Sequence, residues 1–159
     1  MEGTPNMRIM GIFSENREEW IMTELACCSN SIAVVPIQIL NQFQNEEFAE
    51  YICKITEIET VCASLQTLGI ILEMKSRQKL SNVKNIIIYD HPEEVHQQLA
   101  KQLGLNLIFF EDMVKEGMRE IDFKKNEPNL DSVFFIGVSS GTTSQPKLVM
   151  LTHRNFISG

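Results

Sequence analysis

A cluster of small and hydroxylated residues near the end of the chain, followed by a lysine, is the feature of the sequence best suited to chemistry. Residues 138–155 read VSSGTTSQPKLVMLTHRN and follow the apolar run 133–136. Small residues let backbone N–H groups approach an anion, hydroxyls add donors, and Lys147 adds positive charge. This composition after a strand predicts a phosphate-binding loop. The predicted phosphate-binding residues are Ser139, Ser140, Gly141, Thr142, Thr143, Ser144 and Lys147.

The order of these residues excludes two widespread phosphate-binding motifs. The P-loop of nucleoside triphosphatases requires G-x-x-x-x-G-K-[ST], whereas Pro146 directly precedes Lys147 here. The dinucleotide motif G-x-G-x-x-G is also absent. A different kind of phosphate loop is therefore needed to explain the segment.

The segment resembles the phosphate loop of the AMP-forming acyl-CoA synthetases and related adenylate-forming enzymes. Their pattern is approximately [YF]-[TS]-S-G-[ST]-T-G-x-P-K-G-[VA]-x-x-[ST]-H-x-N. The matching positions are Ser139, Ser140, Gly141, Thr142, Thr143, Pro146, Lys147, Val149, Thr152, His153 and Asn155. So many matches in order are improbable by chance.

A second segment is similar to the long-chain fatty acyl-CoA synthetase branch of this family. Residues 10–36 read MGIFSENREEWIMTELACCSNSIAVVP and resemble its G-I-F-x-x-N-R-x-E-W segment and its V-V-P strand. The matching positions are Gly11, Ile12, Phe13, Asn16, Arg17, Glu19, Trp20, Glu24, Ala26, Cys27, Val34, Val35 and Pro36. The stretch after Pro36 departs from the branch's usual Tyr-Asp-Thr-Leu-Gly sequence.

The resemblance implies an enzyme that activates a fatty acid with ATP to an acyl-adenylate and then transfers the acyl group to coenzyme A. The loop would wrap the β- and γ-phosphates, and Lys147 would add charge near the departing pyrophosphate. A hydroxyl of Ser139 or Thr142 would help to hold Mg²⁺. His153 would reach substrate or support the loop, and the alternative is a capping and packing role for Thr152 and His153.

Two positions depart from the family pattern, which has glycine where this chain has Ser144 and Leu148. If the first position requires a positive φ, a β-carbon there costs about 1–2 kcal/mol. A leucine beside the lysine is expected to crowd the phosphate or the neighbouring backbone. These departures favour an alternative function, a non-catalytic nucleotide-binding or protein-interaction module derived from the family. A third hypothesis is an unrelated flavodoxin-like domain with a chance hydroxyl-rich loop.

Composition narrows the class of protein. A net charge of −7 argues against a nucleic-acid partner, and the sequence contains no apolar run long enough to span a membrane. The four cysteines lie in apolar patterns and are interpreted as reduced thiols of a cytosolic protein. Peripheral association of a full-length protein with the cytosolic face of an intracellular membrane is compatible with the resemblance.

Alternating strand and helix patterns predict an α/β fold with a mostly parallel sheet, whose carboxyl edge carries the loop. Ser14 or Asn16 is expected to cap the first helix, with Leu25 on or near its apolar face, and Asn45 to cap the second. Gly104 is expected to cap the fourth. The predicted strands are 8–14, 32–40, 60–63, 83–89, 106–110 and 132–138. Helices are predicted over 18–29, from 45, over 65–80, 92–104 and 111–120, and from 153.

The 159 residues are interpreted as a partial AMP-binding domain, because adenylate-forming enzymes are several times longer. The resemblance implies a later Tyr-Gly-x-[ST]-Glu segment, a ribose-binding aspartate and a mobile lysine-bearing C-terminal domain, all absent from this sequence. We therefore assign no catalytic residue to the chain. By itself it is expected not to form acyl-CoA.

Overall fold

The fold is built from strands that alternate with helices along the chain. The computed structural model describes residues 7–39, 42–119, 123–139 and 146–159, with only the backbone described for 42–45. The strands are β1 (Arg8–Phe13), β2 (Ile32–Pro36), β3 (Thr60–Ala63), β4 (Asn85–Ile88), β5 (Asn106–Phe109), β6 (Val133–Ser139) and β7 (Lys147–Thr152). The helices are α1 (Glu18–Cys28), α2 (Gln42–Thr56), α3 (Leu65–Ser76), α4 (Glu94–Gln102), α5 (Phe110–Gly117) and α6 (His153–Ser158).

The strands form one seven-stranded sheet in the order β5-β4-β3-β1-β2-β6-β7. Strands β1 to β6 are parallel, and β6 joins the sheet by pairing with β2 at Val34↔Phe135. Strand β7 runs antiparallel to β6. The α/β fold and the mostly parallel sheet are therefore confirmed, and β7 is a strand that the sequence analysis did not predict.

Side chains of the central strands alternate between two apolar layers, one on each face of the sheet. In β1, Phe13 belongs to the larger core cluster and Ile12 to the smaller one. Helices α2 and α3 cover the larger cluster, for example with Ile52 and Leu68. Helix α1 covers the smaller cluster with Cys27. Burial on both faces is expected of a parallel sheet.

Several helix boundaries differ from the prediction. The N-cap of α1 is Arg17, without a side-chain capping bond, so neither Ser14 nor Asn16 caps this helix. The Ser14 hydroxyl donates to the carbonyl of Glu15. Helix α2 already begins at Gln42, so Asn45 lies inside it. Leu25 was expected on or near an apolar face but is 64% exposed. Gly104 has a φ of +70°, which confirms its predicted role after α4.

Three of the four cysteines lie in the core. Cys27, Cys53 and Cys62 are buried, and Cys28 is half-buried. Burial raises the pKa of the Cys27 thiol to about 11 and that of Cys53 to about 12. Such thiols stay protonated and act as small apolar side chains. None of the helices in the described segments combines the length and the apolar character required to cross a membrane.

Candidate phosphate-binding site

The predicted phosphate loop connects the two strands of the β6–β7 hairpin. Ser139 ends β6, Lys147 begins β7, and the two residues are paired across the hairpin. The hydroxyl of Ser139 donates to the carbonyl oxygen of Lys147 at 3.4 Å. The remaining predicted phosphate ligands, Ser140, Gly141, Thr142, Thr143 and Ser144, lie outside the described residues.

The position of the hairpin follows from the parallel pairing of β6. Since β6 runs in the same direction as β1, β2, β3 and β4, Ser139 lies at the carboxyl edge of the sheet. Ligands of open α/β sheets bind at this edge. The ends of the loop are therefore found where the sequence analysis predicted the loop.

Lys147 and Leu148 have different environments because successive side chains of a strand point to opposite faces. Lys147 is exposed. Leu148 is paired with Val138, and both pack against the larger core cluster. The side chain of Leu148 therefore fills a place in the apolar layer, whereas its expected crowding of a phosphate or of the neighbouring backbone stays a prediction.

Tyr51 of α2 makes a hydrogen bond to the loop exit, which is the segment 146–147 where the chain leaves the predicted loop. Its hydroxyl donates to the carbonyl oxygen of Pro146 at 2.7 Å. The hydrogen bond joins residues 95 positions apart in the sequence. No local sequence pattern joins two residues so far apart, so the sequence alone did not indicate this contact.

An open groove of about 1270 Å³, the lateral groove, lies between α2 and the β6–β7 hairpin. Tyr51 and Ile55 of α2 line one part of it, and Pro146 and Lys147 line another. The groove continues to the amino ends of β1 and β3, at Arg8 and Thr60. The loop exit therefore borders open space on this flank of the molecule.

The segment after β7 forms a capped helix. Thr152 is the N-cap of α6, where its hydroxyl accepts from the N–H of Asn155 at 3.2 Å and its own N–H donates to Asn155 Oδ1 at 3.0 Å. The predicted capping role of Thr152 is confirmed. His153 lies with its ring centroid 5.3 Å from that of Phe134. Its Nε2 is buried and has no hydrogen-bond partner among the described residues.

A network of charged side chains lies at another part of the carboxyl edge of the sheet. Arg17 contacts both carboxylate oxygens of Asp90 at 3.0 Å and both of Glu19 at 2.7 and 2.9 Å. Asp90 also accepts from the N–H of Leu65 at the start of α3, at 2.7 Å. The hydrogen bond to Glu19 raises the pKa of Arg17 and lowers that of Glu19. Sequence analysis did not find this network.

The network occupies the point where the strand order reverses. The chain passes from β1 to β2 on one side and then to β3 on the other side of β1. A sheet of this order binds its ligand in the crevice at the β1/β3 switch point when it follows the flavodoxin rule. Here Arg17 and Asp90, whose side chains are 20% and 30% exposed, form a salt bridge beside that switch point.

Comparison with known proteins identifies the class of protein that this fold and hairpin define. The AMP-binding enzyme family matches residues 3–159, so the chain belongs to that family. Two solved structures share the fold over 92% of the chain. They are the adenylation domain of a carboxylate reductase from Mycobacterium chelonae (TM-score 0.75, 16% identity, 24% of that chain) and an anthranilate CoA ligase in complex with anthranoyl-AMP (0.73, 18%, 25%).

Two relatives with higher sequence identity indicate a narrower branch of this family. Fatty acyl-CoA synthetase B of Dictyostelium discoideum is 33% identical over 150 residues, which cover 94% of this chain and 22% of that protein. Long-chain-fatty-acid–CoA ligase 5 of Rattus norvegicus is 30% identical over 153 residues, or 95% of this chain and 22% of that protein. The predicted resemblance to the long-chain branch of the adenylate-forming ligases is confirmed. The chain spans about a fifth of the length of these relatives.

Proposed function

We propose that this chain carries the ATP phosphate loop of a long-chain fatty acid–CoA ligase. The observation that supports this proposal is the β6–β7 hairpin. Its residues that flank the loop, Ser139 and Lys147, are paired at the carboxyl edge of the sheet. In the reaction, a fatty-acid carboxylate attacks the α-phosphorus of ATP and pyrophosphate leaves. The thiol of coenzyme A then attacks the acyl carbon and AMP leaves.

The contribution of this chain to that reaction is positioning and charge neutralisation. Backbone N–H groups and hydroxyls of residues 139–144 bind the β- and γ-phosphates. Lys147 provides the positive charge that stabilises the departing pyrophosphate. His153 supports the loop from the start of α6, next to Phe134. Coenzyme A and the fatty acid have no assigned ligand in this chain.

The donor chemistry of the site fits Mg²⁺. Ser139 presents an exposed hydroxyl oxygen at the end of β6, and Mg²⁺ prefers oxygen ligands shared with substrate phosphates. Ser139 or Thr142 would hold the ion together with the ATP phosphates. When bound, Mg²⁺ neutralises phosphate charge as pyrophosphate departs.

The remaining parts of the proposal concern the whole protein. The chain is a partial AMP-binding domain, and the adenylation lysine, the ribose-binding aspartate and the acyl-binding residues belong to other segments of a longer ligase. The 159 residues by themselves do not form acyl-CoA. The full protein works in the cytosol or peripherally at the cytosolic face of an intracellular membrane, with fatty acid, ATP and coenzyme A as its substrates.

The alternative is a nucleotide-binding or interaction module without catalysis. Ser144, which replaces a family glycine, is the residue that favours it. Leu148 replaces a second family glycine, and its side chain packs with Val138 against the core. In that case the chain would bind nucleotide, and restoring both glycines in a longer protein would produce a large gain in ligase activity; no gain would mean that the two substitutions are harmless or that a defect lies elsewhere.

Replacement of Lys147 tests the phosphate-loop proposal. We expect Lys147→Ala in the full chain to weaken MgATP binding by about tenfold or more, because one charge-assisted contact contributes about 1.5–3 kcal/mol. Calorimetric titration measures this change. The matched control is Lys101→Ala, which removes an exposed lysine from α4 and should leave the affinity unchanged. Equal affinity of Lys147→Ala and the wild-type chain would contradict the proposal.

A further inference from the structure

The hydroxyl of Tyr51 makes a hydrogen bond from α2 to the loop exit. Its Oη lies 2.7 Å from the carbonyl oxygen of Pro146. Pro146 is separated from the hydroxyl-rich segment by Gln145 alone and directly precedes Lys147. Tyr51 therefore contacts the backbone between the proposed phosphate-binding loop and its lysine.

Tyr51 lies on a part of α2 that packs into the core. Its neighbours on α2, Ala49, Ile52 and Cys53, are 1%, 0% and 4% exposed and belong to the larger core cluster. The ring of Tyr51 packs against the same cluster. A tyrosine side chain also has few rotatable bonds, so little entropy is lost when its hydroxyl is fixed.

The carbonyl of Pro146 belongs to the peptide unit that leads into Lys147. The Pro146 carbonyl and the Lys147 N–H belong to one planar peptide unit. A proline has no N–H of its own, so the carbonyl is its one polar backbone group. A bond to this oxygen therefore fixes the plane from which the Lys147 backbone departs.

Two elements, β6 and α2, contact the loop exit. On one side, Lys147 is paired with Ser139 of β6. On the other side, Tyr51 reaches it from α2 across the edge of the lateral groove. With both contacts present, the start of β7 is fixed relative to the sheet and to α2.

We propose that Tyr51 is a positioning residue for ATP binding, which sets the direction of Lys147 through the Pro146 carbonyl. This inference rests on the proposed role of Lys147 at the phosphates. Tyr51 itself touches no phosphate in this proposal. Its hydroxyl lowers the cost of arranging the loop exit before the nucleotide binds, which is preorganisation.

Tyr51→Phe in the full chain tests the proposal because it removes only the hydroxyl. We expect MgATP to bind about three- to tenfold more weakly, as befits one neutral hydrogen bond. We also expect faster trypsin cleavage of the Lys147–Leu148 bond in the absence of nucleotide. Calorimetric titration and timed mass spectrometry of the digest provide the two readouts.

The chain offers a matched control in its other tyrosine, Tyr89. The Tyr89 hydroxyl lies 3.0 Å from Thr23 Oγ1 in the buried layer beneath α1. Tyr89→Phe also removes one hydroxyl and one hydrogen bond, so it should lower the thermal midpoint without changing the MgATP affinity or cleavage at Lys147. An equal loss of affinity in both variants would mean that general stability is responsible, and would overturn the proposal.

The outcomes separate this inference from the proposed function. If Lys147→Ala weakens MgATP binding but Tyr51→Phe stays within twofold of the wild-type chain, the positioning role is wrong and the phosphate loop stands. If Lys147→Ala has no effect or the wild-type chain binds no MgATP, the proposed function fails and the positioning role fails with it. Weaker binding in both variants, with Tyr89→Phe unchanged, supports both.

Discussion

At the scale of single residues, Leu148 illustrates how a departure from a family pattern can have a structural reason. The family has glycine at this position, but here the side chain lies with Val138 on the larger core cluster. An apolar side chain that is partly removed from water stabilises the fold in proportion to its buried area. Leu148 is therefore part of the packing of the hairpin.

Restoring the family glycine should consequently destabilise the chain. Leu148→Gly loses about 1–2 kcal/mol of apolar burial and about 0.5–1 kcal/mol of strand stability from the added backbone freedom. Urea denaturation measures the change in the free energy of unfolding. Val149→Gly, at a neighbouring residue that is 45% exposed, has the same backbone effect and should cost less. A Leu148→Gly chain more stable than wild type would show that the leucine is strained.

At the scale of elements, the charged network ties three parts of the fold together. Arg17 precedes α1, Asp90 follows β4, and the N–H of Leu65 begins α3. The side chains of Arg17 and Glu19 are 20% and 19% exposed, so solvent screens them less than it screens a surface pair. This network orders the loops beside the β1/β3 switch point.

The network predicts a specific pH dependence of stability. Arg17 lowers the pKa of Glu19 below its ordinary value of 4.5. A lowered pKa contributes stability that is present above pH 4.5 and is lost as the pH falls through the lowered pKa of the folded chain. Arg17→Gln should cost about 2 kcal/mol near pH 7 and weaken the acid-induced loss of stability.

Urea denaturation between pH 3 and pH 7 measures both effects. Arg154→Gln is the control, because its partner Asp131 has a side chain that is 77% exposed and the pair contributes little. If the Arg17→Gln and wild-type chains lose stability in parallel as the pH falls, the link between Arg17 and Glu19 is refuted.

The elements also show how far the sequence could predict this structure. Strands β1 to β6 were found within a few residues because their apolar runs are bounded by polar or turn-forming residues. Strand β7 was missed because 147–152 was interpreted as the end of a loop motif, although its valine and threonine suit a strand. The charged network was missed because Arg17 and Asp90 are 73 residues apart, and no periodic pattern joins them.

The candidate site was predictable to a similar extent. Residue types and order indicated a candidate phosphate loop, because anion binding needs small residues, hydroxyls and a cation close together in sequence. The structure places the two ends of this segment at the carboxyl edge of the sheet, and its phosphate-binding role stays a prediction. The anchor from Tyr51 to Pro146 was not predictable, because it depends on how α2 packs beside the hairpin. The orientation of Leu148 likewise required the register of β7 on β6.

At the scale of the whole molecule, the hairpin side of the sheet exposes apolar side chains to solvent, whereas the central strands are buried. Strand β7 is the last strand of the described sheet. Its Val149, Met150 and Leu151 are 45%, 52% and 37% exposed, and Phe156 of α6 is 75% exposed. An outer strand with apolar side chains presents backbone groups and apolar surface to other chains.

We therefore expect the chain to self-associate through β7 as its concentration is raised. Val149→Lys should reduce the association, because a lysine on an edge strand opposes further pairing. Met118→Lys adds the same charge at a residue 82% exposed just after α5 and should change little, so it separates a local effect from net charge. Light scattering over a concentration series distinguishes these cases. A monomeric wild-type chain throughout the series, or equal effects of both lysines, would mean that β7 does not mediate association.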